Sequence, residues 1–467
     1  MVSRWSGFLL MAIASAAMGG ELEPQLSVGL IRTDNVTLLP VNPEAATVLL
    51  VSPGFTYTQD TGKLVADVAY RMDAYHYQQR GVNRFYNVLD ADVEFGLVPE
   101  RFFLDFGGSR SQGIIDPEGT IPFDNLAIST NQVNRDDYYL GPSFQVPVGD
   151  NVLVNGNLRR TWVRYADALL AQLGRLPDYE IDEAGLSVDN YRKGVGLSWA
   201  VRYVYQNADY GAPLAPFDYR QAYAELGYWV TEGTRLFVVG GLESPWATPL
   251  TSGLEDSFWE AGVVREFGER FRAEVAVGER SFGSSGRVDL EYDFGRGSTT
   301  FRYNETPTTN ANDRFSRGGL LEREEPNDYL FRAGSAQRYI SKLFQWSVDL
   351  DFERYDFAFA LFDESRDSRT EVNGVPLADE AQWGGDLSAS WRLGPRTQLY
   401  LRAMRANREF AGGEKSDLAA DTVGVSYAFR SRVLLSLELE QREQTSLQTA
   451  ARNYRAELAS MAVSWTF

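Results

Sequence analysis

The sequence predicts an all-β fold, a transmembrane antiparallel up-and-down β-barrel of about 22 strands, within roughly 18 to 22. Short periplasmic turns, long extracellular loops and no plug domain complete the expectation. Three observations carry it. Apolar and polar residues alternate with period two along most of the chain. The breaks between alternating runs are of two kinds, tight turns and long polar stretches. The chain ends in an amphipathic run that closes on Phe467.

Residues 1–19 read as an export signal rather than as part of the fold. Arg4 is the only charge, and the apolar run Phe8 to Met18 follows it. Ala17-Met18-Gly19 supplies small residues for cleavage near Gly19 or Gly20. A membrane anchor is the alternative, but it needs roughly 20 apolar residues, about twice this run. Residues 20–467 then form a single barrel domain, with no Pro/Gly/Ser linker and no second compositional regime.

The strands declare themselves by alternation. Leu89, Ala91, Val93, Phe95 and Leu97 alternate with Asp90, Asp92, Glu94 and Gly96. Phe344, Trp346, Val348, Leu350 and Phe352 alternate with Gln345, Ser347, Asp349, Asp351 and Glu353. Val433, Leu435, Leu437 and Leu439 alternate with Ser436, Glu438, Glu440 and, further on, Arg442. A soluble sandwich alternates too. The connections separate the two. Asp60-Thr61-Gly62, Pro99-Glu100, Gly149-Asp150-Asn151, Gly268-Glu269, Gly394-Pro395 and Ser431-Arg432 are tight turns. Between them lie the longer stretches 113–135, 166–178, 209–217, 246–254, 307–326 and 360–380. Turns sorted by length to two sides describe an outer-membrane barrel, in which closure pairs every backbone group that lipid would leave unsatisfied. Runs 180–190, 287–306 and 327–343 are the least regular.

At the C-terminus, Met461, Val463, Trp465 and Phe467 share one face, with small residues on the other. A final strand of this form resembles the recognition signal of the barrel assembly machinery, so Val463, Trp465 and Phe467 are the candidate assembly signal. The 24 Tyr, 27 Phe and 10 Trp suit interfacial girdles. Tyr75, Tyr77, Phe102, Tyr138, Tyr139, Trp162, Tyr165, Trp229, Trp346 and Trp465 are candidates, each with a lumen or loop contact as its alternative.

If the apolar face meets lipid, the charged face meets the lumen. Asp90, Asp92, Glu94, Asp349, Asp351, Glu353, Glu438 and Glu440 are then the lumen-facing acids, and Arg272, Arg402 and Arg442 the lumen-facing bases. Such a lumen is hydrated and acidic. It suits a cation-favouring pore or a path for a hydrophilic solute; the alternative is that the charges pair across strands and merely keep the lumen wet. Stretch 113–135, with Pro117 and Pro122, is the best candidate for a loop that constricts the lumen.

Composition excludes several chemistries. The chain has no Cys and one His, with 64 acidic against 45 basic residues and a formal charge of −19. Thiol nucleophiles, disulfides and multi-His metal sites are therefore out. Nucleic acid is an unfavourable partner for so acidic a chain. His76, flanked by Tyr75 and Tyr77, reads as a contact near the loop side. Gly283-Ser284-Ser285-Gly286 reads as a hairpin turn, and the acid-rich run Glu322-Arg323-Glu324-Glu325 as a solvated charge cluster. No catalytic constellation, metal site or cofactor is expected, and the chain does not read as an enzyme.

Ser27-Val28-Gly29, Thr33-Asp34-Asn35-Val36, Val51-Ser52-Pro53-Gly54, Ser109-Arg110-Ser111-Gln112, Ile115-Asp116-Pro117, Asn125 and Asn131 together resemble a known family. It is the β-barrel porins that accompany exopolysaccharide synthesis and exosortase (PEP-CTERM) systems of Gram-negative bacteria. The resemblance implies an integral outer-membrane protein serving export of exopolysaccharide or another hydrophilic polymer. The residues alone leave two alternatives, a passive diffusion porin for small hydrophilic solutes and a non-transporting structural or docking barrel. Expected partners are outer-membrane lipid and lipopolysaccharide, the barrel assembly machinery, polysaccharide and periplasmic export components.

Overall fold

A computed structural model describes residues 20–116, 118–122, 124–166, 178–190, 196–211, 216–244, 256–309, 338–368, 371–372, 375–376, 378–410 and 412–467. The proposed signal, Pro117, the run 322–325 and the irregular stretch 327–337 lie outside them.

The strands are β1 (Glu21–Thr33), β2 (Ala46–Asp60), β3 (Leu64–Tyr77), β4 (Val82–Val98), β5 (Phe102–Ile114), β6 (Gln132–Val148), β7 (Val152–Tyr165) and β8 (Tyr179–Asn190). There follow β9 (Gly196–Asp209), β10 (Phe217–Thr231), β11 (Thr234–Glu243), β12 (Asp256–Phe267), β13 (Phe271–Arg280), β14 (Gly283–Asp293), β15 (Gly297–Thr309), β16 (Arg338–Asp351) and β17 (Tyr355–Ser368). A two-residue ribbon, β18 (Glu371–Val372) with β19 (Val375–Pro376), decorates the next connection. Then come β20 (Glu380–Gly394), β21 (Thr397–Glu409), β22 (Lys415–Arg430), β23 (Val433–Ser446) and β24 (Tyr454–Thr466).

All but the ribbon belong to one 22-stranded antiparallel sheet. Each strand pairs with its chain neighbour, β17 pairs with β20, and β24 pairs with β1 in the register Leu26↔Trp465, Val28↔Val463, Leu30↔Met461. The sheet has no free edge. That closure is what a lipid environment demands, because an unpaired amide there costs several kcal/mol. The irregular stretches 180–190 and 287–306 are regular strands here, β8, β14 and β15.

Every tight turn named above lies on one rim, where the connections 61–63, 99–101, 149–151, 268–270, 395–396 and 431–432 run two or three residues. Gly149, Gly268 and Gly295 sit there at φ 64°, 66° and 85°, a region open to glycine without steric cost. The strand ends that flank the long stretches all lie on the other rim. Two connections of that rim are nonetheless short, 78–81 and 281–282. Gly283-Ser284-Ser285-Gly286 is therefore not a turn. It opens β14, with Ser284 opposite Glu279 and Gly286 opposite Val277.

Alternation sorts the side chains as expected. Leu158, Leu226, Val238, Val277, Leu439 and Phe429 point outward and are exposed to solvent in the isolated chain. A surface this apolar is stable only in lipid. Near the short-turn rim it ends in exposed aromatics, among them Phe95, Phe102, Tyr228, Phe267, Tyr355 and Trp391. Toward the long-loop rim it ends in outward ion pairs: Arg160–Asp182 at 2.5 Å, Arg164–Glu180 at 3.0 Å and Arg405–Asp421 at 2.7 Å. The protein is an integral membrane barrel whose strands continue past the outer face of the bilayer.

The girdle expectation needs correction. Phe102, Tyr138 and Trp346 are outward and exposed. Tyr75, Tyr77, Tyr139 and Tyr165 are buried at 7%, 0%, 8% and 7% exposure, on the inner face. Tyr75 and Tyr77 share strand parity with Asp73, and Tyr139 with Asp137, so lipid-facing positions were never open to them.

Candidate functional site

The wall side chains of a 22-stranded barrel cannot fill its lumen. Among the described residues, two of the chain's own connections, 34–45 and 115–131, pack into the outer end. Segment 115–131, between β5 and β6, turns inward and packs against the inner wall. Ile121 is fully buried in a cluster with Ile114 of β5, Phe362 of β17, Met404 and Ala406 of β21 and Leu418 of β22. That cluster joins walls far apart around the barrel. A second cluster joins Val133, Val163, Tyr165, Tyr179, Ile181, Ala208 and Tyr210, from β6 to just beyond β9, to Ile340 of β16. The loop within 113–135 therefore lies inside the barrel, with an apolar contact to the wall at Ile121.

Polar side chains of the wall hold the loop backbone. Gln444 of β23 accepts from the Ile121 amide at 2.8 Å and donates to the Gly119 carbonyl at 3.0 Å. Tyr454 of β24 donates to the Ile121 carbonyl at 2.7 Å, and Tyr77 of β3 to the Leu126 carbonyl at 2.8 Å. Arg442 pairs with Asp124 of the loop at 2.9 Å and with Glu440 at 2.5 Å. Within the loop, Asn131 accepts from the Asp116 amide at 2.7 Å and donates to the Asp116 and Thr120 carbonyls at 2.7 and 2.9 Å. The connection 34–45 joins this plug. Its Val36 carbonyl accepts from the Ile128 amide, and Asn35, 2% exposed, bonds Leu39 and the Arg455 carbonyl. Buried backbone groups need such partners. Asn35 and Asn131, two residues that carried the family resemblance, are the side chains that tie these inward segments.

Beneath the plug the wall is polar. Asp90, Asp92 and Glu94 lie on the inner face of β4, and the register places them beside Asp67 of β3 and Asp105 of β5. Tyr139 donates to Asp92, and Ser143 to Asp105 at 2.8 Å. Asp349, Asp351 and Arg402 line one cavity of about 900 Å³ toward the short-turn rim. It is shared with Asp356 and Arg392, which pair at 2.9 Å. Glu438 accepts from Tyr400 at 2.8 Å. Arg272 pairs with Glu274 at 2.8 Å. Glu353 departs from expectation. β16 ends at Asp351, and Glu353 stands exposed in the following turn, where the alternation no longer applies.

Of a further group, alternation in the sequence places Glu225, Glu274 and Arg280 inward, while Arg202, Arg235, Glu260 and Arg287 were not singled out. On β9 to β14 the inner wall interleaves Arg202, Glu225, Arg235, Glu260, Glu274, Arg280 and Arg287 with Tyr223 and Phe258 around a second cavity of about 330 Å³. Strand parity could have found the remaining four as well, since Arg202, Arg235, Glu260 and Arg287 each adjoin an outward apolar residue. His76 is outward and exposed, bonded through Nδ1 to Asn83 Oδ1 at 2.7 Å. Among the described residues, no three His, Cys, Asp or Glu side chains are placed to hold a metal ion.

No family model and no curated protein matches the chain. Solved structures do. The siderophore receptor PiuA from Acinetobacter baumannii superposes with a TM-score of 0.52 at 10% identity, covering 96% of this chain and 82% of the receptor. The siderophore receptor PirA from the same organism gives 0.50 at 10% identity, over 96% and 80%. A mutant of the ferric enterobactin receptor PfeA from Pseudomonas aeruginosa gives 0.51 at 9% identity, over 96% and 80%. At such identities the likeness is one of fold, that of outer-membrane barrels.

Proposed function

We propose that this integral outer-membrane barrel is a gated conduit for export of a hydrophilic polymer, an exopolysaccharide, with segment 115–131 as the gate. One observation carries the reading: among the described residues, segment 115–131 packs against the inner wall toward the outer end, and below it that wall is lined by Arg, Glu and Tyr side chains. A barrel that served solely as a scaffold has no need of charged, water-accessible walls below such a closure. Acidic and basic groups along the wall offer acceptors and donors to successive hydroxyls of a sliding polymer. Because the segment is tied by a handful of hydrogen bonds, the Arg442–Asp124 ion pair and one apolar contact at Ile121, displacement by an arriving chain is energetically within reach.

Partners follow from the same reading. Periplasmic export components would deliver polymer to the short-turn rim, where the 900 Å³ cavity opens. Val463, Trp465 and Phe467 would be read by the assembly machinery, and the outward ion pairs above the lipid belt would face lipopolysaccharide. A deletion strain should lose surface polysaccharide and accumulate it in the periplasm. Unchanged surface polysaccharide rejects the reading. A passive diffusion porin is the second reading, favoured by the acidic ladder at Asp90, Asp92 and Glu94. It requires steady, cation-favouring conductance through the unmodified barrel.

A further inference from the structure

The outward face of the barrel carries a groove of about 420 Å³ at the outer ends of β20 to β23, within the range for ligand pockets, roughly 300–1,000 Å³. The register explains it. Ala419 of β22 sits between Arg405 of β21 and Glu443 of β23. In the row above, Asp417 sits between Asn407 and Thr445, and Trp383 of β20 lies beside Asn407. These residues share the outward parity of the exposed Leu387, Leu401, Val423 and Leu439. Longer side chains thus surround the single methyl of Ala419, and the groove is the space that methyl leaves.

Its height selects what can lie against it. From the lipid-facing Val423 to Ala419 the strand advances four residues, about 13 Å along the strand and less along the membrane normal, because barrel strands tilt. The Arg405–Asp421 pair at 2.7 Å, where the apolar surface ends, lies at its lower edge. The groove is therefore just outside the hydrocarbon, in the headgroup layer of the outer leaflet.

The lining selects the chemistry. Trp383 is 59% exposed, and the negative face of its ring system attracts the C–H groups of a sugar. Beside it are acceptors. Asn407 donates to one oxygen of Asp417 at 2.5 Å, which leaves the other oxygen open. Glu443 has no ion pair with a described residue, since Arg455, opposite it on β24, is held by Glu457 at 2.9 Å and Gln441 at 3.1 Å. Arg405, the only base in the lining among the described residues, gives both guanidinium arms to Asp421 at 2.8 and 2.7 Å. Two carboxylates without a free base repel a phosphate. They accept from sugar hydroxyls, and the Thr445 hydroxyl can donate to a sugar oxygen.

We propose that this groove seats an uncharged core sugar of the outer-leaflet glycolipid, lipopolysaccharide, held through its hydroxyls and C–H face and not through phosphate. The assignment goes beyond the conduit reading and does not rest on it.

The test is native mass spectrometry of the full-length barrel released from nanodiscs that contain, in turn, lipopolysaccharide with a complete core, lipid A alone, or phosphatidylglycerol. A chelator is present throughout, so no divalent cation bridges carboxylate to phosphate. The wild type should retain the core-bearing glycolipid at least tenfold better than lipid A or phosphatidylglycerol. Trp383→Ala and Glu443→Ala should each remove that preference, and Trp383→Tyr, which keeps an aromatic face, should restore most of it. Trp346→Ala, which removes an exposed outward Trp elsewhere on the barrel, should leave it unchanged. Equal retention of lipid A by the wild type overturns the proposal, as does an unchanged preference in Trp383→Ala and Glu443→Ala. A wild-type mass of two copies that falls to one in Trp383→Ala, with glycolipid retention unaltered, would make the groove an interface between copies and overturn it too.

Discussion

Loosening the plug at Ile121 and Tyr454 should open the lumen without touching the barrel. Ile121 is fully buried, and truncating such a residue to alanine costs about 2–5 kcal/mol through lost burial and the cavity left behind. Tyr454→Phe keeps the ring but removes the 2.7 Å donation to the Ile121 carbonyl, a further loss of about 0.5–1.5 kcal/mol. Together the loss is roughly 3–6 kcal/mol, borne by the packed state of segment 115–131 alone. At about 1.4 kcal/mol per factor of ten, the ratio of closed to open should fall by about two to four orders of magnitude. Single-channel recording in planar bilayers reads this directly. The wild type should be closed with rare openings, and Ile121→Ala with Tyr454→Phe should dwell open. The strand ladder is untouched, so the folded, heat-modifiable band on a denaturing gel should persist in both. Steady full conductance by the wild type, or an unchanged open fraction in the double variant, would show that segment 115–131 is not a gate.

Asn35→Ala removes the bonds to Leu39 and Arg455, about 0.5–1.5 kcal/mol each. Limited proteolysis followed by mass spectrometry should show segment 34–45 cut at least tenfold faster. Leu439 faces lipid and Thr422 the lumen, so Leu439→Arg should lower unfolding stability in liposomes by about 2–4 kcal/mol and Thr422→Arg by much less. Hydrogen bonds from Arg80 hold the Glu44 carboxyl below its ordinary value of 4.5. A lowered acid stabilises above its unfolded value and loses that contribution as pH falls through the folded one. The tie between connections 34–45 and 78–81 should therefore hold at neutral pH and loosen below about 4.5. Amide exchange in the two connections across that range checks it, and the effect should be small because the pair is exposed to salt and water.

Much of this was legible in the sequence because a barrel strand has only two faces. Asp90, Asp92, Glu94 and Arg442 were placed inward by parity alone, and the closing β24 by its run of Met461, Val463 and Trp465. The inward fate of 113–135 was legible from its length and its mix of apolar and acidic residues. The girdle was misjudged where residue type was weighed above parity. Tyr138 and Tyr139 are consecutive, so one of them had to face the lumen. Glu353 was misplaced because alternation carries no signal for where a strand stops. The encounter of Ile340 with Tyr210, or of Ile121 with Phe362 and Leu418, was not legible. It depends on which distant walls meet across the lumen, and no local period encodes that.

In the proposed conduit, segment 115–131 closes the barrel from within. Since the sequence contains no cysteine, a single introduced thiol reports without background. Ile121→Cys and Gln78→Cys, the latter on an exposed outer connection, can be labelled on intact cells with a membrane-impermeant maleimide. Labelling should be rapid at position 78 and slower by two orders of magnitude or more at position 121. Equal rates at the two positions would contradict it.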